Sequence, residues 1–536
     1  MKVLSFLKNN FTEKRLMVNK IITATFWAFI ISCLNVSAQN KYYLSASGND
    51  SNNGHSRIMA WRSVRKINET NFKPGDSVFF EGGITFKGNI KLTSDDSGSG
   101  EHPVVFTSYG KAKTCINAGD GEGVLAINAS FVKLIRLNFI GSGTTTNHGS
   151  GIHFYADDSL KAPSHIEIIG CEVKGFNTYG IAFGVNNSMS CRGYQYVHIT
   201  GCNASENGQA GIASYGSQHG FQHSNFRVAY CKAFDNRGIL SKTENHSGNG
   251  IDMGMVDSLI IEHCEAFENG ADNRCNAGGP VGIWVWMCKN ALIQHCISHN
   301  NHAGGTKDGG GFDIDGGSSN CVMQYNYSYN NEGAGYLLAE YGALFHFTNN
   351  IVRFNISVND GRKNNYGGIA VWGASSDYSV TNSTIYNNTI CTDDSLLING
   401  TPAAITLMGT NFKNVLIANN IFVTKGNAHF INADTLISKS AAQLLHNDYY
   451  SYDSRYIFDY GHQKFQSIRT WLGNNPDQEI SRGVSALINI NPLFTHDPFD
   501  RRQRKDLSVQ KKSPVRNKSF IIPSYSNRKV FPGAIQ

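Results

Sequence analysis

Leu259-Ile260-Ile261-Glu262-His263-Cys264-Glu265-Ala266 returns, in the same cadence, as Ala291-Leu292-Ile293-Gln294-His295-Cys296-Ile297-Ser298. Outward from this pair the cysteine recurs at Cys171, Cys202, Cys231, Cys264 and Cys296, at gaps of 31, 29, 33 and 32 residues. Asparagine continues the register at Asn326, Asn355 and Asn382. A period of this size marks a stacked repeat, in which each unit buries its apolar face only against its neighbours.

A second register runs in step with the first. It opens with glycine and alternates: Gly151-Ile-His-Phe-Tyr155, Gly180-Ile-Ala-Phe-Gly184, Gly211-Ile-Ala-Ser-Tyr215, Gly250-Ile-Asp-Met-Gly254, Gly282-Ile-Trp-Val-Trp286, Gly311-Phe-Asp-Ile-Asp315 and Gly368-Ile-Ala-Val-Trp372. Second and fourth positions are mostly apolar, and third and fifth positions vary. Period-two alternation puts these two sets on opposite faces of a strand. Short strands with no helical stretch between them predict an all-β chain, a right-handed parallel β-helix (solenoid). An N-terminal cap should close one end. The stacked cysteines are read as small inward hydrophobes, since no Cys/His spacing suits a metal. The Asn-rich turns at Glu268-Asn269, Asn300-Asn301, Asn330-Asn331, Asn359-Asp360 and Asn387-Asn388 are read as structural, because Asn tolerates left-handed geometry and bonds its own backbone.

The ends read differently. Lys8, Lys14, Arg15 and Lys20 precede an apolar run from Ile21 to Leu34, and Val36-Ser37-Ala38 offers a small-residue cleavage site. Residues 1–38 are therefore expected to be a signal peptide of an exported protein, periplasmic, extracellular or at the cell surface. Ile30-Ile31-Ser32-Cys33 leaves lipidation at Cys33 as the alternative. No membrane span is expected. Residues 39–425 are assigned to the β-helix, and residues 426–536 to an irregular C-terminal capping segment with a basic tail. The net charge of +6 misleads. The two ends carry the positive charge, and residues 39–500 sum to −7. That composition gives no nucleic-acid surface on the body. A monomer is expected.

The opening Tyr42-Tyr43-Leu44-Ser45-Ala46-Ser47-Gly48-Asn49-Asp50, with Trp61-Arg62-Ser63-Val64 and Pro74-Gly75-Asp76-Ser77-Val78-Phe79-Phe80, resembles exported bacterial β-helix proteins of the pectin-lyase-like superfamily. The resemblance covers most of residues 41–425. It implies a polysaccharide or oligosaccharide partner. It does not choose among hydrolase, lyase, epimerase, esterase and adhesive stalk, since fold does not fix function.

The outward columns suggest where chemistry sits. The third-position column reads His153, Ala182, Ala213, Asp252, Trp284, Asp313, and the fifth reads Tyr155, Gly184, Tyr215, Gly254, Trp286, Asp315. Carboxylates and tryptophans thus converge over three coils, which suits a sugar. In the next coil, Gly335-Tyr336-Leu337-Leu338-Ala339-Glu340-Tyr341, Leu337 and Ala339 are placed inward and Glu340 outward, stacked on Asp315. The opposite choice would bury Glu340 with no evident partner, which is costly. Stacked acids would lie ~5 Å apart, near the ~5–5.5 Å of a retaining glycosidase pair. Asp315 is assigned as nucleophile and Glu340 as acid/base, with Asp313 as a third catalytic acid. The pair is similar to the acids of β-helix β-xylosidases, whereas the full polygalacturonase motif set is absent. Substrate contacts are assigned to Trp284, Trp286, Asp252, Asp308, Lys307, Tyr215, His302, Tyr341 and Trp372, with His246, His299 and His346 as possible assistants. No cofactor is expected for a hydrolase. The alternative is a lyase or epimerase holding Ca²⁺ at Asp308, Asp313 and Asp315, with Lys307 or Lys242 as base. A non-catalytic glycan-binding surface protein is the third reading.

Overall fold

The computed structural model describes residues 39–158, 161–188, 191–217, 220–374, 377–481, 484–485, 487–500, 507–516, 518–519, 522 and 533–534. The proposed signal peptide, Cys33 and much of the basic tail lie outside them.

Alternation in the sequence becomes a right-handed parallel β-helix. Three sheets of fourteen strands each run the length of the stack, parallel except for a last antiparallel pair, Phe458–Tyr460 with Gln463–Phe465, and successive strands of a coil pass from sheet to sheet in turn. The strand Val104–Tyr109 alternates buried and half-buried residues along its whole length, as a strand with one face in the lumen must. Equivalent positions stack coil on coil: Ile152 pairs with Ile181, Ile181 with Ile212, Ile212 with Ile251, Ile251 with Ile283, and Ile283 with Phe312. This column is buried and belongs to one continuous core. The N-terminal end is closed by Trp61, Val64, Ile67 and Phe72, the last two flanking the end of the short helix Arg65–Asn68.

The corners carry two ladders. Cys171, Cys202, Cys231, Cys264 and Cys296 stack as buried free thiols, as small inward hydrophobes would. From Cys296 onward the same corner becomes amide. The Cys296 amide donates to Asn326 Oδ1, and Asn326, Asn355, Asn388 and Asn420 each donate through Nδ2 to the Oδ1 of the next. The ladder ends on Glu479, which accepts from Asn447 Nδ2 at 2.7 Å and from the Tyr449 hydroxyl at 2.7 Å. Its third asparagine is Asn388, not Asn382. Asn382 sits at a different corner with φ of 46°, bonded to Asn414. A second amide ladder runs Asn207, Asn236, Asn269, Asn301, Asn331 and ends on Asp360.

These bonds are buried, so breaking one leaves polar groups stranded. Asn355→Leu would orphan the Asn326 amide and the Met323 carbonyl, each now bonded to Asn355 at 2.9 Å. A loss of about 2–4 kcal/mol is expected. Because stacked coils need not unfold together, amide exchange in the flanking coils is the measurement, with protection lost there before the N-terminal coils.

The stack continues past residue 425. Strands His429–Ala433, Ala442–Leu445, Asp448–Ser451 and Phe458–Tyr460 still pair in parallel with the coils before them. The C-terminal end is closed by the helix Ile468–Asn474, whose Trp471 stacks on Phe458 at 5.0 Å. The described part of the final segment does not cover that end. Phe494, Leu507, Val509, Val515 and Ala534 pack on the outside of one sheet, against Tyr327, Ile356, Val358 and Val423. No helix among the described residues is long and apolar enough to cross a membrane.

Candidate active site in an outer cleft

One sheet carries the glycine-led strands, and its outer face forms a cleft of about 700 Å³. Its floor is built from the strands Ala210–Ser214, Asn249–Gly254, Val281–Trp286, Gly310–Asp315, Tyr336–Glu340 and Gly367–Gly373. Pairing confirms the outward columns: Ala213 lies beside Asp252, Asp252 beside Trp284, Trp284 beside Asp313, and Trp286 beside Asp315. Lys242, His246, Lys307 and Asp308 come from the turns that rise along the rim.

The next coil is where expectation and structure part. Phe312 pairs with Tyr336, Asp313 with Leu337 and Ile314 with Leu338. Tyr336 and Leu338 therefore join the lumen core, while Leu337 and Ala339 face outward with Tyr366 and Trp372. Glu340 is turned in and is 1% exposed. Its carboxylate is not orphaned. Oε2 accepts the Gly317 amide at 3.0 Å, and Oε1 accepts the amides of Gly342 and Ala343 at 2.7 and 2.9 Å. Glu340 therefore does not stack on Asp315 and does not line the cleft. It is a turn-holding acid, and its assignment as acid/base is withdrawn. Tyr336 is also satisfied inside, its hydroxyl 2.8 Å from the carbonyls of Asn326 and Ile356.

Three acids of one coil remain. Asp315 Oδ1 accepts the Gly316 amide at 2.8 Å. Asp308 is held from two sides: the Tyr366 hydroxyl donates to Oδ1 at 2.7 Å and the Gly279 amide to Oδ2 at 2.8 Å. Asp313 is 3% exposed, and its buried Oδ1 has no hydrogen-bond partner among the described residues. Burial, then the charges of Asp315 and Asp308, hold Asp313 well above the usual carboxylate range. Burial also lifts Asp315 well above that range, with Asp308, Glu340 and Asp252 adding to the rise against the Gly316 amide. Burial raises Asp308, against the Tyr366 hydroxyl, the Gly279 amide and Lys307. Asp252 is raised to about 7 by burial, against the Trp286 indole and Lys242.

Aromatic rings frame these acids. Trp286 Nε1 donates to Asp252 Oδ1 at 2.8 Å, and the ring lies over Gly254, where any Cβ would run into it. Gly254→Ala is therefore expected to dislodge Trp286, read as a shift in tryptophan emission and a loss of cleft affinity of about tenfold. Tyr341 lies against Gly316 in the same way, and Trp284, Tyr215, Trp372 and Lys307 also line the cleft.

His302 is not in the cleft. Nδ1 lies 3.0 Å from Glu332 and Nε2 lies 3.1 Å from Glu268, in an ion network across coils that Lys363 joins. His299 is stacked between Phe267 and Tyr329. Neither it nor His346 lines the cleft, whereas His246 does. The network sets a pH window. Glu332 raises the His302 pKa, so this contribution is complete below about 6.5 and fades as pH rises through the raised value. Burial opposes ionisation of Glu332, but His302, the Ala303 amide and Lys363 outweigh it and bring its pKa from 4.5 to about 2, so that contribution is lost on acidification below 4.5. His302→Gln should lower the melting temperature most between about pH 4.5 and 6.5. The effect should stay near 1 kcal/mol, because solvent screens a partly exposed imidazole.

Sequence reasoning missed Tyr366, Gln209, Tyr179, Leu337 and Met408, all of which line the cleft. Tyr366 and Tyr179 each directly precede a glycine-led strand, which was the available signal. Asp308, Asp313 and Asp315 are not gathered into a metal-holding set, and no group of three His, Cys, Asp or Glu is so gathered among the described residues.

A family model described as right handed beta helix region matches residues 150–390. The chain is 23% identical over 519 residues to a lacto-N-biosidase of Bifidobacterium longum subsp. longum, covering 77% of this chain. It spans only 30% of that relative's length. The GH136 lacto-N-biosidase of Eubacterium ramulus superposes in its native form with a TM-score of 0.53 and 16% identity, covering 79% of this chain and 68% of that one. Its selenomethionine form gives 0.52, with coverage of 82% and 70%. The structural likeness is one of fold.

Proposed function

We propose that this chain is a carbohydrate-active enzyme, a glycoside hydrolase that works through Asp315 and Asp308. The observation that carries the reading is the acidic coil. Three carboxylates share one cleft with exposed aromatic faces, and the two that a ligand can reach, Asp308 and Asp315, flank a third that is buried. Asp315 lines the cleft, accepts the Gly316 amide through Oδ1, which favours its charged form, and supplies the nucleophilic oxygen. Asp308, oriented by the Tyr366 hydroxyl and the Gly279 amide, carries the proton for the leaving oxygen. The glycosidic C–O bond breaks as the bond to Asp315 forms. Water then releases the sugar, with Asp308 taking the proton back. Burial and the neighbouring charges of Asp315 and Asp308 favour the neutral form of Asp313. The relative that shares 23% identity is a lacto-N-biosidase, which supports a glycosidase here.

A panel of glycans tests the reading, followed for new reducing ends and for the ultraviolet absorbance of an unsaturated uronate. Reducing ends without that absorbance, unaffected by a chelator, are expected. Absorbance that a chelator abolishes would favour a lyase instead.

A further inference from the structure

The cleft is lopsided. Beyond the acids on one side the outward residues are apolar: Leu337, Ala339 and Trp372. On the other side nitrogen donors gather. Asn249 Oδ1 accepts the Val281 amide at 3.1 Å, which fixes its side-chain NH₂ toward His246 Nδ1 at 3.2 Å. That makes Nδ1 an acceptor and leaves the His246 proton on Nε2. Trp284, whose ring centroid lies 5.4 Å from that of His246, is 5% exposed, and its Nε1 has no hydrogen-bond partner among the described residues. A buried N–H without a partner asks for an explanation. Lys242 Nζ donates once, to Gln209 Oε1 at 2.6 Å, and an ammonium has two further protons to give. Its charge is felt by both His246 and Asp252, and all four residues line the cleft.

We infer that Lys242, His246 and Trp284 form a donor subsite for a sugar that bears a planar oxygen acceptor, the carboxylate of a uronic acid or the acyl carbonyl of an acylamino sugar. The inference rests on the carbohydrate reading above and adds the substituent the cleft selects. Burial and the nearby Lys242 bring the His246 pKa down to about 4, so this ring is a neutral donor at ordinary pH. Asp252 spends one oxygen on Trp286 and leaves the other for a hydroxyl of the same sugar.

The test is calorimetric titration of the full chain carrying Asp315→Asn with glucuronic acid, N-acetylglucosamine and glucose. One of the two substituted sugars is expected to bind about tenfold tighter than glucose, as one charge-assisted hydrogen bond provides. Lys242→Met and His246→Phe should each erase most of that preference, read as the ratio of affinities for the substituted sugar and for glucose, with circular dichroism confirming the fold. Salt weakening the preferred sugar identifies a carboxylate, and insensitivity to salt identifies an acyl carbonyl. Equal affinity for all three sugars, no binding of any, or a preference that survives both substitutions would overturn the inference. The two readings fail separately. Hydrolysis without substituent preference leaves the hydrolase and removes the subsite, and preference without hydrolysis in the unmodified chain does the reverse.

Discussion

Asp315→Asn is expected to lower glycan turnover by about 10³-fold or more while leaving the fold intact. The amide keeps the size and the hydrogen bond from Gly316 but loses the attacking oxygen. Asp308→Asn should act as strongly on substrates with poor leaving groups and far less on activated aryl glycosides, because only the former need a proton at the departing oxygen. Asp313→Asn should differ from both. Burial and two like charges favour the neutral form of Asp313. An isosteric neutral amide is then expected to keep activity within about tenfold. Steady-state kinetics on the three variants decide the assignment. Full activity in Asp315→Asn would remove the mechanism.

The second large effect falls on stability. Glu340→Ala withdraws the acceptor from three backbone N–H groups, those of Gly317, Gly342 and Ala343. Allowing for partial rehydration, a loss of about 3–5 kcal/mol is expected. It should be read as a lower melting temperature and as faster exchange of those three amides. Glu340→Gln should recover part of it, since one oxygen still accepts the Gly342 and Ala343 amides. An Ala variant that melted normally but lost catalysis would return Glu340 to the chemistry.

Glu340 also shows how far side-chain patterns can be read. Six glycine-led strands set the outward columns through Asp315, because inward Ile and Phe leave one choice of face. At Tyr336-Leu337-Leu338-Ala339 both faces are apolar and the alternation is silent. Register then rested on the cost of burying a carboxylate. That cost was offset by backbone amides in two turns, and amides do not show in a sequence. The asparagine corner misled similarly. Asn382 keeps the period of the ladder, but only a side chain at Asn388 reaches its neighbours. The end of the stack was read too early because strands such as His429–Ala433 and Phe458–Tyr460 follow longer turns without the cysteine or glycine marker. The acids of the cleft were legible as a cluster. Which of them a ligand can reach depended on Tyr366, fifty-eight residues away from Asp308.

The amide corner gives the molecule an electrical direction. In every rung from Asn326 to Asn420 one N–H of the side chain donates to the amide oxygen of the following coil, while the other turns back to a backbone carbonyl of an earlier one. Side-chain dipoles so aligned add head to tail, as peptide dipoles do in an α-helix, and each polarises the next. A β-structure, whose strand dipoles largely cancel within antiparallel sheets, here acquires a small macrodipole along its long axis. Its positive pole falls where Glu479 sits, so an anion there terminates the series much as an acidic residue terminates the start of a helix.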